Sequence, residues 1–269
     1  SFDQKTLSGS IYDAGYSANM NNLMAMDYTG KFSVFAGNDI VEYSINSGLT
    51  FNNIAIPALN SQAGTKISAV GMSGNGKTLI VGGTNSQLFV STDSGSLASI
   101  DASPIYGSTN YHNWKSISCN GAGFYCMAIT DAILYITNPG ADTLYNGLWV
   151  NKTATKHADM DLANVTDSFI NNDGNLFGIT TTNGLYLSTD FGASWTKHAQ
   201  ANGYTSITYT YTRTPNIDGE YIYLTTADTG TVKKVINVTG GVSVTNALGT
   251  NAASAAHTSV IVSGHGGYT

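Results

Sequence analysis

Residues 165 to 196 hold four short runs of alternating apolar and polar residues, and the same grammar recurs through most of the 269-residue chain. Val165 to Asn172 ends at Asn-Asp-Gly. Leu176-Phe-Gly-Ile-Thr and Leu185-Tyr-Leu-Ser-Thr-Asp then flank Asn183-Gly184, and Phe191-Gly-Ala-Ser-Trp-Thr closes the unit. Asn-Gly between two alternating runs is the strongest short hairpin signal, because both central residues of such a turn take positive φ. An earlier copy comprises Leu23-Met-Ala-Met-Asp-Tyr, Phe32-Ser-Val-Phe-Ala, Ile40-Val-Glu-Tyr-Ser and Leu49-Thr-Phe. Further copies start at Ile67-Ser-Ala-Val, at Trp114-Lys-Ser-Ile-Ser (with an insert from Asn138 to Gly147) and at Ser206-Ile-Thr-Tyr-Thr. The first strands thus begin near 23, 66, 114, 165, 205 and 257, a period of roughly 40 to 50 residues that fits propeller blades. The last copy has only His257-Thr-Ser-Val-Ile-Val, and Thr6 to Tyr16 can supply its outer strands. The reading is an all-β, six-bladed β-propeller of four-stranded antiparallel blades, residues 1–269 forming one domain. Its last blade is closed jointly by the N- and C-terminal strands, which leaves no open sheet edge. A single β-sandwich would not need six copies of one four-strand unit.

Composition narrows the chemistry. Charged residues make up 10% of the chain, against about 25% in an average domain, and Ser, Thr, Asn, Gly and Tyr take their place. The net charge of −6 is spread without blocks. With no basic face, nucleic acid is excluded as a partner, and no run approaches the ~20 apolar residues of a membrane span. Arg213 is the one arginine among 11 Lys and Arg residues. A site built from several bidentate guanidinium forks is therefore excluded. The chain begins at Ser1, and the expectation is removal of a signal peptide and a place outside the cell or on a cell or particle surface. Three sequons, at Asn151, Asn164 and Asn237, permit N-glycosylation there.

Cys119 and Cys126 flank Asn-Gly-Ala-Gly-Phe-Tyr. A turn over Asn120 to Gly123 would put Cys119 opposite Phe124 and leave the two sulfurs on a diagonal of about 7 Å, at the limit for a disulfide. A bridge and two small buried thiols are both open at this point. The spacing is not that of a zinc site.

Ser188-Thr-Asp190-Phe-Gly192-Ala-Ser194-Trp195 resembles the Asp-box, S-x-D-x-G-x-[ST]-W, of the BNR repeat. Ser44-Ile-Asn46-Ser-Gly48-Leu-Thr50-Phe51 is similar, with Asn for Asp and Phe for Trp. Ser91-Thr-Asp93-Ser-Gly95 keeps the first half, and Asp13-Ala-Gly15 and Thr239-Gly-Gly241 are fainter echoes. The resemblance implies a propeller in which the box occupies the turn between the two outer strands of a blade. Asp190, Asn46 and Asp93 are then structural rather than catalytic. Proteins with such repeats include sialidases, some endoglucanases, sortilin-type receptors and photosystem assembly factors. Sialidases hold the substrate carboxylate with three arginines, which Arg213 alone cannot supply, so sialidase activity is excluded.

A glycosidase needs two carboxylates about 5 to 9.5 Å apart. Asp27, Asp159, Asp161 and Asp167 lie near innermost strands, but none sits in a recognisable motif, and local bonding to turn amides is the competing role. His112, His157, His198 and His257 fall in connections leading into innermost strands, and Lys156-His157 and Lys197-His198 look equivalent in the repeat. They are binding candidates at one channel mouth; a repeat-copied Lys-His pair accounts for them without a metal, and none is assigned. Tyr111, Trp114 and Tyr204 join them, since aromatic faces among neutral hydrogen-bonding groups suit carbohydrate or protein. Blade packing is the competing role, preferred for Trp114 and Trp195. The expected function is non-enzymatic binding of glycan or extracellular protein, without a cofactor. A hydrolase using channel carboxylates and a self-associating structural block are the alternatives.

Overall fold

The computed structural model describes residues 23–37, 40–54, 66–92, 111–137, 149–198, 203–214, 217–226, 232–236 and 243–246. The expected insert at Asn138 to Gly147, the strands at Thr6 to Tyr16 and at His257, and the partial boxes at Asp13, Asp93 and Thr239 lie outside these residues. The described residues are all β, without an α-helix. The chain divides into two compact units, Ser1–Asn151 and Lys152–Thr269.

The first unit holds three antiparallel meanders. One is β1 (Met24–Met26), β2 (Ser33–Gly37), β3 (Ile40–Ser44) and β4 (Asn52–Ile54). The next is β5 (Ile67–Met72), β6 (Leu79–Gly83) and β7 (Leu88–Ser91). The third is β8 (Trp114–Cys119), β9 (Cys126–Thr130), β10 (Leu134–Thr137) and β11 (Trp149–Asn151). The second unit holds β12 (Val165–Ile170), β13 (Phe177–Thr181), β14 (Gly184–Ser188) and β15 (Thr196–His198). It ends with β16 (Tyr204–Thr214), β17 (Ile217–Thr226), β18 (Val232–Ile236) and β19 (Ser243–Asn246). Each sheet runs in chain order from its first strand outward. First strands pack on first strands: β1 on β5, β5 on β8, and β12 on β16.

Strands buried on both faces read as unbroken apolar runs rather than alternating ones. In β6, Leu79 and Val81 join a core with Val34, Val41 and Phe89, while Ile80 joins Trp114, Ile117 and Tyr135 on the other side. In the second unit, Phe169, Leu185 and Leu187 pack against Tyr204, Ile207 and Ile222.

Two local devices repeat. In four of the sheets the first strand carries a β-bulge after its opening residue, at Ile67/Ala69, Trp114/Ser116, Val165/Asp167 and Tyr204/Ser206. A bulge re-aims the following side chain, here giving Ala69, Ser116, Asp167 and Ser206 the same place in their respective sheets, all four of them buried. The second device closes the first hairpin. Asp27, Ser73, Asn120 and Asn171 each donate their backbone N–H to the carbonyl five residues on, at 2.8 to 3.0 Å. Each side chain in turn accepts the N–H of that same residue: Phe32, Thr78, Tyr125 and Leu176. The glycine at the fourth position has φ of 67 to 80° in all four turns, which only glycine adopts at no steric cost. In the first unit adjacent turns also bond to one another, from Tyr28 N to Gly74 O (2.8 Å) and from Asn75 N to Gly121 O (2.9 Å).

The Asn-Gly hairpin is shifted by one residue from the sequence reading. Thr181 pairs with Gly184, so Thr182 and Asn183 form the turn, and the Thr181 hydroxyl accepts the N–H of Asn183 at 3.2 Å. A side chain that closes the turn itself removes the need for two positive-φ residues.

Candidate functional site

The expected channel-mouth residues fall into two clusters, one in each unit. In the first unit, His112 and Ser86 exchange both backbone hydrogen bonds at 3.0 Å. This seats the His112 ring edge-on to Trp114 at 5.6 Å and tilted against Tyr135 at 6.1 Å. Burial lowers the His112 pKa, and Asp131 partly offsets it. The Asn113 amide accepts the N–H of Asn85 (2.9 Å) and donates to Asp131 Oδ2 (3.2 Å). Tyr111 is 43% exposed, whereas Trp114 is 2% exposed and donates Nε1–H to Ser86 O at 3.0 Å. Trp114 is therefore a packing residue, and Tyr111 is the exposed aromatic.

The second unit repeats the arrangement. Tyr186 occupies the same register position as Tyr135, opposite Ile179 where Tyr135 is opposite Ala128. His157, from the segment leading into β12, packs on Tyr186 at 5.6 Å. His157 Nδ1 accepts the N–H of Asp159 (3.1 Å), and the Asp159 carbonyl accepts from Tyr186 Oη (2.9 Å) and Asn183 Nδ2 (3.1 Å). Lys197 Nζ stands 3.0 Å from Asp159 Oδ2. That hydrogen bond holds the Asp159 carboxyl below its ordinary range and the Lys197 ammonium above its own.

His112 and His157 make the same kind of contact from different positions, two residues ahead of β8 and eight ahead of β12, each ring lying on its own sheet's third-strand tyrosine. Lys156-His157 and Lys197-His198 are not equivalent. Lys197 and His198 pair with Tyr186 and Leu185 inside β15, while Lys156 lies in the loop and its ammonium bonds Met160 O at 2.7 Å. A dipeptide match carries no register, and the ladder does. Burial lowers the His198 pKa. Tyr204 is buried, with its phenol pushed up to about 12 by burial and its Oη without a hydrogen-bond partner among the described residues. It is a core residue. His257 lies outside the described residues, as does Asn237. Asn151 and Asn164 are exposed, the latter bonding Asp161 Oδ2 at 2.5 Å. Among the described residues no three His, Cys, Asp or Glu side chains converge to hold a metal ion. Nor does any helix have the length and apolarity to cross a membrane.

The carboxylates are occupied locally. Asp27 accepts Phe32 N (2.9 Å) and Thr29 Oγ1 (2.6 Å) in its turn. Asp161 caps the short 3-10 turn Leu162–Asn164 by accepting Ala163 N. Asp167 joins two first strands: Oδ2 accepts Ser206 Oγ and Ile207 N, both at 3.0 Å, and Oδ1 accepts Ser168 N at 2.8 Å.

The two box-like turns form one structure. Gly192 N donates to Ser188 Oγ (2.9 Å) and Ser194 N to Asp190 Oδ1 (2.9 Å). Gly48 N donates to Ser44 Oγ (2.8 Å) and Thr50 N to Asn46 Oδ1 (3.0 Å). Both turns link the third strand to the fourth, and Phe191 and Ser47 take φ of 57 and 59° ahead of their glycines. Burial would raise the Asp190 pKa, but bonds from Ser194 and Ser188 outweigh it and hold the carboxyl below its ordinary value. Trp195 is buried beneath the turn. Asp190→Ala strips three hydrogen bonds from this turn and should cost about 1–2 kcal/mol in thermal unfolding. Asp190→Asn should retain most of that stability, because Asn46 holds the sister turn. Equal losses for both variants would show that the turn needs the charge.

Antiparallel meanders packed first strand to first strand, with bulges and turns repeated from sheet to sheet, define a β-propeller. The chain is similar in structure to YCF48 from Cyanidioschyzon merolae, at 17% identity and a TM-score of 0.55, over 82% of this chain and 70% of that one. It is also similar to an ancestral GH74 enzyme (15% identity, TM-score 0.56, 84% of this chain and 30% of that one). A third is the Cps50 (Swd1) β-propeller domain of Myceliophteria thermophila (12%, TM-score 0.55, 87% and 72%). Likeness at this identity establishes the fold alone. No family model matches the sequence, and no curated protein is similar to it in sequence.

Proposed function

We propose that the chain is a single six-bladed Asp-box propeller, closed jointly by its two ends, that acts outside the cell as a binding module and not as an enzyme. Its ligand is a glycan or an extracellular protein, taken on the face that carries Tyr111 and His112. One observation supports this above the rest: the Tyr111 ring is exposed, and next to it in the chain stand half-buried His112 and exposed Asn113, whose amide donates to Asp131. An exposed aromatic face in a segment rich in hydrogen-bonding groups matches the alternating apolar and hydroxyl surfaces of a sugar. Neither nucleic acid nor membrane insertion belongs to this reading. The hydrolase alternative rests on Asp167, whose carboxyl sits at about 6, although its three donors mark it as a strut between strands.

A broad glycan array probed with the whole chain tests the reading. Specific retention on one glycan class is expected, with Tyr111→Ala lowering it at least about tenfold at an unchanged unfolding temperature, as befits an aromatic hot spot. Loss of printed glycan on long incubation would establish hydrolysis instead. A blank array would move the reading to protein ligands or self-assembly, and light scattering separates those two.

A further inference from the structure

We propose that Cys119 and Cys126 form a cross-strand disulfide that fastens the end of the β8–β9 hairpin. The register carries the inference. Cys119 pairs directly with Cys126, because the turn runs from Asn120 to Tyr125 and closes with Asn120 N on Tyr125 O at 2.8 Å. The diagonal expected from a shorter turn is thereby corrected. In an antiparallel ladder bonded and non-bonded pairs alternate, so the pair next to Asn120 and Tyr125 is non-bonded. The Cys126 N–H confirms this by pointing away from β8, to Thr137 Oγ1 at 2.8 Å. Non-bonded pairs bring their Cα atoms to about 4.5 Å, inside the range a disulfide spans. The two free thiols face each other with sulfurs 2.6 Å apart.

The hairpin end so fastened is not a free tip. Its Gly121 and Ala122 carbonyls accept hydrogen bonds from Asn75 in the neighbouring turn, so the bridge holds part of a row of turns.

The chemistry needs a disulfide oxidant, such as oxidised glutathione. Cys119 is half-buried and Cys126 fully buried, and burial together with the Cys119 contact keeps the Cys126 thiol protonated well above its ordinary pKa. Cys119 therefore attacks first. Its thiolate displaces one reduced thiol from the oxidant and leaves a mixed disulfide. Cys126 then loses its proton to solvent and attacks the Cys119 sulfur, releasing the second thiol. In sum, two cysteine thiols are oxidised and one oxidant disulfide is reduced to two thiols.

The test uses the whole folded chain equilibrated in glutathione mixtures, acid-quenched, denatured and labelled with a maleimide. Both labels are expected to disappear together over one transition, leaving an unlabelled chain lighter by two hydrogens. Cys126→Ser should trap glutathione on Cys119, while Cys119→Ser should resist modification at Cys126 until it unfolds. Persistent double labelling in excess oxidised glutathione would overturn the proposal, as would a stable wild-type mixed disulfide at Cys119 beside a labelled Cys126. Rapid glutathione capture by Cys126 in folded Cys119→Ser would overturn the order of attack.

Discussion

Trp114→Ala should lower the unfolding free energy by about 3–5 kcal/mol, measured by urea denaturation with an unchanged m-value. The indole packs among Ala69, Ile80, Val90 and Tyr135 and bridges the cores of two adjacent sheets. Against it lies Gly82, where a Cβ would come within 2.5 Å of the ring, so Gly82 has no side chain to fill the space left behind. Trp114→Phe should cost less, about 1–2 kcal/mol, since it keeps much of the packing and loses the bond to Ser86 O. The pair of variants also separates support from recognition. If Trp114 instead contacted ligand, the Ala variant would lose binding while keeping its stability, and the assignment of Tyr111 as the aromatic surface would fall.

Acidification from pH 7 to pH 4 should stabilise the wild type relative to Asp167→Asn by about 2 kcal/mol. Burial raises the Asp167 carboxyl to about 6, against the opposing pull of bonds from Ile207, Ser168 and Ser206. The folded chain therefore holds a proton between pH 4 and 6 that the unfolded chain has released. Folded-state proton binding exceeds unfolded binding in that window, so the contribution to stability grows as pH falls through 6 and is complete below about 3. His112 and His198, both lowered by burial, act oppositely as pH falls through the upper part of this window. For that reason the difference between wild type and Asp167→Asn is the quantity to follow. Asn cannot accept at both oxygens, which adds a constant offset but no pH dependence. A difference flat from pH 7 to 4 would show that Asp167 is solvated and titrates normally.

Sequence reading found the repeat because hydrophobic alternation and turn residues are local. Ile67, Trp114 and Val165 are legible as strand openings, the fifth first strand is placed at Ser206 where it opens at Tyr204, and the turns at Ser44 and Ser188 are legible as structural. The four matched hairpin turns were also open to view, as Asp, Ser or Asn followed three residues later by Gly. They went unrecognised as one motif because the first residue changes type while its role as an acceptor does not. What the sequence could not show was register. Whether Cys119 meets Phe124 or Cys126 depends on two residues of turn length, and a one-residue shift reverses every side chain. Register likewise separates Lys197-His198 from Lys156-His157 and makes Tyr135 and Tyr186 a pair. Burial of Trp114 and Tyr204 depends on the neighbouring sheet, which no local window contains.

The repeated bulges and turns bear on how such a chain drifts over time. The sheets are held in shape by a few positions: an acceptor and a glycine in the first turn of four of them, and a bulge with a large opening residue in four. The glycine is constant across the four turns, but the other positions exchange within a loose chemical class, as Ser73 stands where Asp27 does, and in the box turns Asn46 stands where Asp190 does. A fold specified by class rather than by identity can lose nearly all traceable ancestry and keep its backbone. The fold is accordingly shared with structures at 12 to 17% identity and TM-scores near 0.55.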